Sequence, residues 1–375
     1  MTATFPKLVS KHFELLTDAR VNRGRNHSIV EMIFLTLCAT ISRADGWTDI
    51  ERWGDLKIDW LRQFFAFENG IPSHDTLGRV FSKLSTAEFN AALISLTGDI
   101  ASIVQGKTVA IDGKTLRGSH DASTSKQALH MVSAYVTDMK LVIGLQSVDN
   151  KSNEIPAAQQ LIDMLNLKGA VVTADAMHCQ RETVEKIIGK RADYVLMVKD
   201  NQPSLHSSVK ELVSIAMESD SSKRKGKRER NRGRDEFREV VIAAIPKSHP
   251  LRDQWKGIKT VGMVFRSRTM DGKMQEYSDL FMSSLDSGVK DHAKRLRDHW
   301  AIENSQHYVL DVTFHEDASR IRTGNAPEVS AGFRRMALNI LQRDKTIKDN
   351  MRGKRVRCGY DDSLLTQLLR NFPRD

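Results

Sequence analysis

The stretch Thr108-Val-Ala-Ile-Asp-Gly-Lys-Thr-Leu-Arg-Gly-Ser119 decides the fold. Its apolar start reads as a short buried strand, and Asp112 closes that strand with a carboxylate. Behind it, Gly113 and Gly118 allow a tight turn, while Lys114 and Arg117 place positive charge beside the carboxylate, where a polyanion would approach. A second stretch, Gly169-Ala-Val-Val-Thr-Ala-Asp175, has the same form: an apolar run that ends in an aspartate. Functional groups of open α/β sheets gather at the carboxyl ends of strands, so neighbouring parallel strands would bring Asp112 and Asp175 side by side.

The residues between and after these two runs supply the rest of a sheet. His130–Thr137 and Leu141–Val148 flank the turn Asp138-Met-Lys140, a hairpin pattern. Helical periodicity follows over Ile155–Leu167 and Arg181–Gly189, with strands at Gly169–Asp175 and Tyr194–Lys199. The resulting order β-β-β-α-β-α-β predicts an α/β domain with a ribonuclease-H-like mixed sheet, its first strand beside its fourth.

Residues 200 to about 290 interrupt that order. Lys223-Arg-Lys-Gly-Lys-Arg-Glu-Arg-Asn-Arg-Gly-Arg234 holds eight basic residues and one acidic, a local +7 against +10 for the chain. Such a run is either a solvated, mobile loop or an arm that holds phosphates through residues such as Lys223, Arg224 and Lys225. Phe237–Ala244, Lys259–Arg268 and Glu276–Ser283 read as strands, which makes 205–288 an inserted β segment.

Upstream, residues 1–104 read as an all-α domain. Ile29, Met32, Ile33, Leu37 and Ile41 form a core-facing stripe in a helix that starts near Ser28. Thr48-x-x-Glu51 and Ser85-x-x-Glu88 match the capping box and predict two further helix starts. Asn69-Gly-Ile-Pro-Ser73 is a turn between them. This domain is either a packing module or a DNA-contacting one. The expected layout is therefore 1–104 helical, 105–345 catalytic with its insertion, and 346–375 a basic tail with a short helix.

Fifty-seven basic against 47 acidic residues in 375 point to an anionic partner, most commonly nucleic acid. Cys38, Cys179 and Cys358 are odd in number and widely spaced, which fits no disulfide framework and favours a reducing cytosol. The longest apolar stretch, Ile29–Ile41, is short and carries Glu31, so neither a signal peptide nor a membrane span is expected.

A third carboxylate completes the candidate site. Leu296, Trp300, Glu303, His307 and Leu310 are spaced four, three, four and three, one stripe along a helix that places Glu303 in a largely apolar face. A carboxylate buried there without a partner would cost several kcal/mol, a penalty that a bound cation removes. Three converging carboxylates suit magnesium or manganese, and two such ions activate a hydroxyl and stabilise the leaving oxygen in phosphoryl transfer. The chain contains no Gly-x-x-x-x-Gly-Lys loop, no Gly-x-Ser-x-Gly elbow and no His-Glu-x-x-His helix, which leaves ATPase, acyl hydrolase and zinc protease readings without support.

Ala110-Ile-Asp-Gly-Lys-Thr-Leu-Arg-Gly-Ser119, Asn153-Glu-Ile-Pro156, Thr173-Ala-Asp-Ala-Met-His178, Met197-Val-Lys-Asp-Asn-Gln-Pro203 and His299-Trp-Ala-Ile-Glu-Asn304 resemble the H-repeat-associated insertion-sequence transposases, a branch of the DDE transposases. Gly70-Ile-Pro-Ser-His-Asp-Thr76 extends the likeness into the helical N-terminal region. The resemblance implies Asp112, Asp175 and Glu303 as catalytic metal ligands. Related DDE enzymes carry a Tyr-x-x-Arg-x-x-x-Glu-x-x-x-x-x-x-Lys signature, and here the tyrosine, arginine and lysine positions hold Leu296, His299 and Leu310. His299, His307, Lys114 and Lys199 are the candidates to make the phosphate contacts instead, beside Arg117. The implied activity is cutting of element ends and joining of their 3′ hydroxyls to target DNA. The alternatives are a DNA-binding protein of the same fold without catalysis, and a nuclease without strand transfer. The implied partner is double-stranded DNA, both terminal inverted repeats and target, engaged by a homo-oligomer in the bacterial cytosol, associated with the nucleoid.

Overall fold

A computed structural model describes residues 5–21, 25–100, 104–120, 127–149, 152–231, 234–270 and 273–372. Its strands are β1 (Thr108–Leu116), β2 (Leu129–Val136), β3 (Leu141–Ser147), β4 (Val171–Ala174), β5 (Asp193–Val198), β6 (Lys223–Asn231), β7 (Arg234–Ala244), β8 (Thr260–Met270) and β9 (Lys273–Ser283). They form a mixed sheet in the order β3-β2-β1-β4-β5-β9-β8-β7-β6. The chain divides into two compact units, one of Met1–Ile103, Gly113–Asn153 and Ile302–Asp375, the other of Val104–Asp112 and Glu154–Ala301. This division follows packing and not sequence order, since Gly113–Asn153 and Ile302–Asp375 group with Met1–Ile103.

In the first unit the N-terminal and C-terminal helices share one apolar core. Phe5, Phe13, Phe34, Leu37, Phe81 and Phe89 pack in it with Phe333, Leu338, Leu365 and Leu369. The helix Ile29–Ile41 is buried from Met32 to Ile41, so it is a central helix enclosed all round and not one with a single core-facing stripe. Beyond residue 346 the chain forms two helices, Met351–Tyr360 and Asp362–Asn371, instead of a tail with one. Asn350 and Asp361 cap them, the Asn350 side chain accepting from the Gly353 amide and Asp361 from the amides of Ser363 and Leu364.

Only one of the two predicted capping boxes forms in part. The Ser85 hydroxyl accepts from the Glu88 amide at 3.3 Å, but the Glu88 carboxylate turns to the Thr17 amide at 2.7 Å. The helix expected to begin at Thr48 starts at Trp47 behind Gly46 with no side-chain cap. Glu51 is instead drawn to the next helix start, accepting from the His74 amide at 3.0 Å. A tertiary partner there outcompetes the local cap, as often happens to i,i+3 sequence matches.

The hairpin β2–β3 forms as expected, closed by Lys140 in the left-handed region at φ 51° and interrupted by a bulge at Ala134/Tyr135. In the second unit β1, β4 and β5 are parallel, and β9 joins β5 antiparallel, with β8, β7 and β6 following antiparallel beyond it. Val171, Val195, Met197, Val240, Val264 and Phe281 of that sheet pack with Leu296. The inserted segment thus extends the sheet with four long strands. Its first, β6, is the basic run, predicted as a loop or an arm. It pairs from Lys223↔Ile242 to Asn231↔Arg234, because β7 offers a complete edge to which any backbone can bond whatever its side chains. Arg232 and Gly233 of the run lie outside the described residues.

Among the described residues no helix is long and apolar enough to cross a membrane. All three cysteines are free and buried. Burial pushes the Cys179 thiol up to about 12, so it is an inert packing group.

Candidate active site

Register sets the first pair of carboxylates. Thr108–Ile111 of β1 run parallel to Val171–Ala174 of β4, with Ile111 opposite Ala174, so Asp112 and Asp175 are the next residue on each strand. One expectation fails here: β1 does not close at Asp112 but continues to Leu116. What ends at Ile111 is the pairing with β4. The tight turn falls later, at Arg117–Ser119, where Gly118 has no room for a side chain, since a Cβ would lie 2.5 Å from the Ser319 carbonyl oxygen.

Asp175 is half-buried, and its Oδ1 lies 3.2 Å from Nε2 of the buried His299. That hydrogen bond is the main cause holding its carboxyl below the usual carboxylate range, with Lys199 and His178 adding positive potential. Asp175 is therefore ionised at neutral pH and its second oxygen is available to a further ligand. His299 comes from the helix Val289–Ile302. The start of β1 holds this helix in place, since Thr108 Oγ1 donates to Asp298 at 2.8 Å and Arg295 donates to the Gly106 carbonyl at 2.9 Å.

The phase of that helix differs from the predicted stripe. His292, Leu296, His299, Ile302, Gln306 and Leu310 are buried, whereas Trp300 is 41% exposed and Glu303 is exposed. Leu296, His307 and Leu310 lie inside as expected, but Glu303 does not sit in an apolar face, so its carboxylate bears no penalty of unpaired burial. Part of the reason is a π-helical turn at Glu303–His307, which widens the helix and shifts its register by about one residue. The Gln342 amide donates to the Ser305 carbonyl at 2.5 Å within this turn. Single π turns recur at functional positions because a regular helix is the more stable alternative.

The other sequence-predicted residues divide by environment. Lys114 is 8% exposed and bound to Asp311 at 2.7 Å and Asp317 at 3.4 Å, so its charge is already matched by two carboxylates. Arg117 is exposed, 3.6 Å from Asp317. Lys199 is exposed at the end of β5, and Lys223, Arg224 and Lys225 are exposed on β6. His299 is committed to Asp175, and His307 is buried in the π turn.

Sequence reasoning missed the groove beside Asp175. About 480 Å³ in volume, it is lined by Asp175, Lys199, Arg238, Arg266, Arg268 and Trp300 among others, all of the second unit. Arg266 lies over the Trp300 ring at 5.2 Å. The alternation Arg266-Ser-Arg268 on a strand was its one sequence signal, since residues two apart share a face.

Residues 105–340 match the family model described as Transposase DDE domain, and residues 10–97 match one described as DDE_Tnp_1-associated. The chain belongs to the DDE transposase family. Its relatives include proteins named as H-repeat-associated. A protein of Escherichia coli K12 named "H repeat-associated putative transposase YhhI" is 38% identical over 371 residues, 97% of this chain and 98% of the relative. "Putative transposase YncI" of Escherichia coli O157:H7 is 37% identical over 96% of this chain and 93% of its own length. A short relative named "Inactive transposase YbfQ", from Escherichia coli K12, is 43% identical over 20% of this chain. As a DDE transposase by family, the chain has DNA as its class of substrate.

Proposed function

We propose that this chain is an insertion-sequence transposase with a ribonuclease-H-like catalytic core, which cuts element ends and joins their 3′ hydroxyls to target DNA. The observation that carries this reading is the parallel register of β1 and β4, with Asp112 and Asp175 following directly on paired residues. Glu303, the glutamate of His299-Trp-Ala-Ile-Glu-Asn304, is the third member by its place in the family motif.

The donor set fits a hard divalent ion. Asp112, Asp175 and Glu303 offer carboxylate oxygens only, and Asp175 is kept ionised by His299. These three would hold magnesium or manganese, two ions at full occupancy. When bound, the metal supplies activation of a water or terminal 3′ hydroxyl and stabilisation of the leaving oxygen. His299 fixes the orientation of the Asp175 carboxylate through Nε2. Lys199, Arg238 and Arg268 of the groove give phosphates a place to lie beside Asp175. No side chain need become covalently attached to DNA. The working form is a homo-oligomer on paired ends, acting in the cytosol.

Incubation with magnesium and DNA bearing the terminal inverted repeats tests the reading: joined product is expected. Cleavage without joining would make the chain a nuclease, and binding alone would make it a DNA-binding relative without catalysis. Magnesium or manganese should also raise the thermal unfolding midpoint by relieving carboxylate repulsion, and Asp112→Asn should abolish the rise. A rise that persists in both Asp112→Asn and Asp175→Asn would place the ion elsewhere.

The exposed basic strand β6 holds phosphates without regard to sequence in this reading. Replacing Lys223, Arg224, Lys225 and Lys227 by alanine should weaken binding to all DNA sequences alike. The slope of log affinity against log salt should flatten by about 0.9 for each phosphate that the protein no longer neutralises. An unchanged slope in a salt titration would leave β6 as a solvated sheet edge.

A further inference from the structure

The segment after Asp175 is held by side-chain amides. Asp175 precedes a 3₁₀ turn, Ala176–His178, closed by the His178 amide donating to the Asp175 carbonyl at 3.0 Å. Backbone amides also reach two further carbonyls here, Cys179 donating to that of Ala176 at 3.0 Å and Gln180 to that of His178 at 2.9 Å. Three carbonyls of the segment are met by amide side chains. Asn201 Nδ2 donates to the Ala176 carbonyl at 2.8 Å, Gln180 Nε2 to that of Met177 at 3.1 Å, and Gln202 Nε2 to that of Cys179 at 3.1 Å. Gln202 also donates to Gln180 Oε1 at 3.1 Å, which links two of the three donors.

Asn201 and Gln202 are themselves fixed. They follow closely on β5 and lead into the helix Pro203–Glu218, whose first turn includes the His206 amide bonded to the Gln202 carbonyl at 2.8 Å. The amides therefore brace the end of one parallel strand, β4, from the end of the next, β5. On the opposite flank His178, buried, has Nε2 3.5 Å from the Glu154 carboxylate. The turn thus has one clamp from β5 and another contact from the helix Glu154–Met164, while Asp175 at its head is half-exposed in the groove.

We infer that Asn201 and Gln202 are positioning residues, whose amide donors hold the Asp175 turn rigid so that its carboxylate meets a divalent cation with little reorganisation. This rests on the reading of Asp175 as a metal ligand. Metal ligands depend on such outer partners, whose loss lowers affinity or activity by about 10–100-fold. Neither residue touches a phosphate or the reacting atoms in this assignment.

The test uses the full chain and magnesium or manganese alone as probe, read by the metal concentration at half of the thermal shift. Asn201→Ala and Gln202→Ala should each raise that midpoint by about 10–100-fold. DNA binding without metal and the metal-free unfolding midpoint should stay at their wild-type values. Cleavage at saturating metal should recover more fully than cleavage at low metal, a split that a general loss of folding would not produce. Should truncation lower the metal-free midpoint, Gln202→Met, which keeps the length and bulk but has no donor, carries the same comparison. Asp175→Asn separates the two levels of argument. If it abolishes the shift while both amide variants match wild type within twofold, the positioning role is overturned and the metal site stands. If it leaves the shift intact, the metal reading of Asp175 fails, and the positioning role with it.

Discussion

Glu303→Gln is expected to lower strand cleavage by on the order of 10³-fold or more while DNA binding stays, the range in which loss of a group acting in the transition state falls. The substitution keeps volume and helix propensity and removes only the charge that would neutralise a cation. The π turn at Glu303–His307 leaves this side chain exposed, with no packing role, so the effect of the substitution on folding should be small. Neighbouring carboxylates serve as controls because each already has a partner. Asp311 is bound to Lys114, and Glu316 is fully buried against Arg335 at 2.8 Å. Cleavage of inverted-repeat DNA at fixed magnesium is the measurement. Wild-type rates in Glu303→Gln together with loss in Asp311→Asn would move the third ligand out of the π turn.

How much of this was legible depended on what each element buries. The parallel strands around Asp112 and Asp175 read clearly, because burial on both faces turns them into continuous apolar runs. Their adjacency followed from the element order alone. The far end of β1 did not read, since Gly113–Leu116 mixes polar and apolar residues and only its pairing partner defines it. Helix phase failed by one position at Trp300 and Glu303. A tryptophan and a histidine are equally plausible inside, and the choice of His299 over Trp300 was made by the Asp175 carboxylate, a contact across 124 residues. The basic strand β6 was hidden for a related reason. Its own side chains carry no strand period, and Val240, Val241 and Ile242 of β7 supply the pattern it borrows. The burial of Lys114 was not legible, because the carboxylates that draw it in, Asp311 and Asp317, are about two hundred residues away.

Arg335→Met is expected to destabilise the first unit by about 3–5 kcal/mol, because it leaves the Glu316 carboxylate in the core short of its main partner. Both residues are fully buried. Arg335 donates from Nη1 to Glu316 at 2.8 Å and to the Ala331 carbonyl at 3.1 Å, and from Nε to the Ser133 hydroxyl at 3.3 Å. A second guanidinium, Arg334, lies 3.8 Å from the same carboxylate and donates to Ser319 at 2.7 Å. Glu316→Gln should be destabilising as well, since two buried cations then face a neutral amide, and burial already pushes the Arg334 guanidinium below its usual range. The two single substitutions are not additive. Each removes half of one hydrogen-bonded pair, so the double variant Glu316→Leu/Arg335→Met should recover a large part of the loss by removing both desolvated charges together. Chemical denaturation of the two single variants and the double variant measures that coupling. Single variants within about 1 kcal/mol of wild type would mean that water reaches the pair, as it does in surface ion pairs of that magnitude.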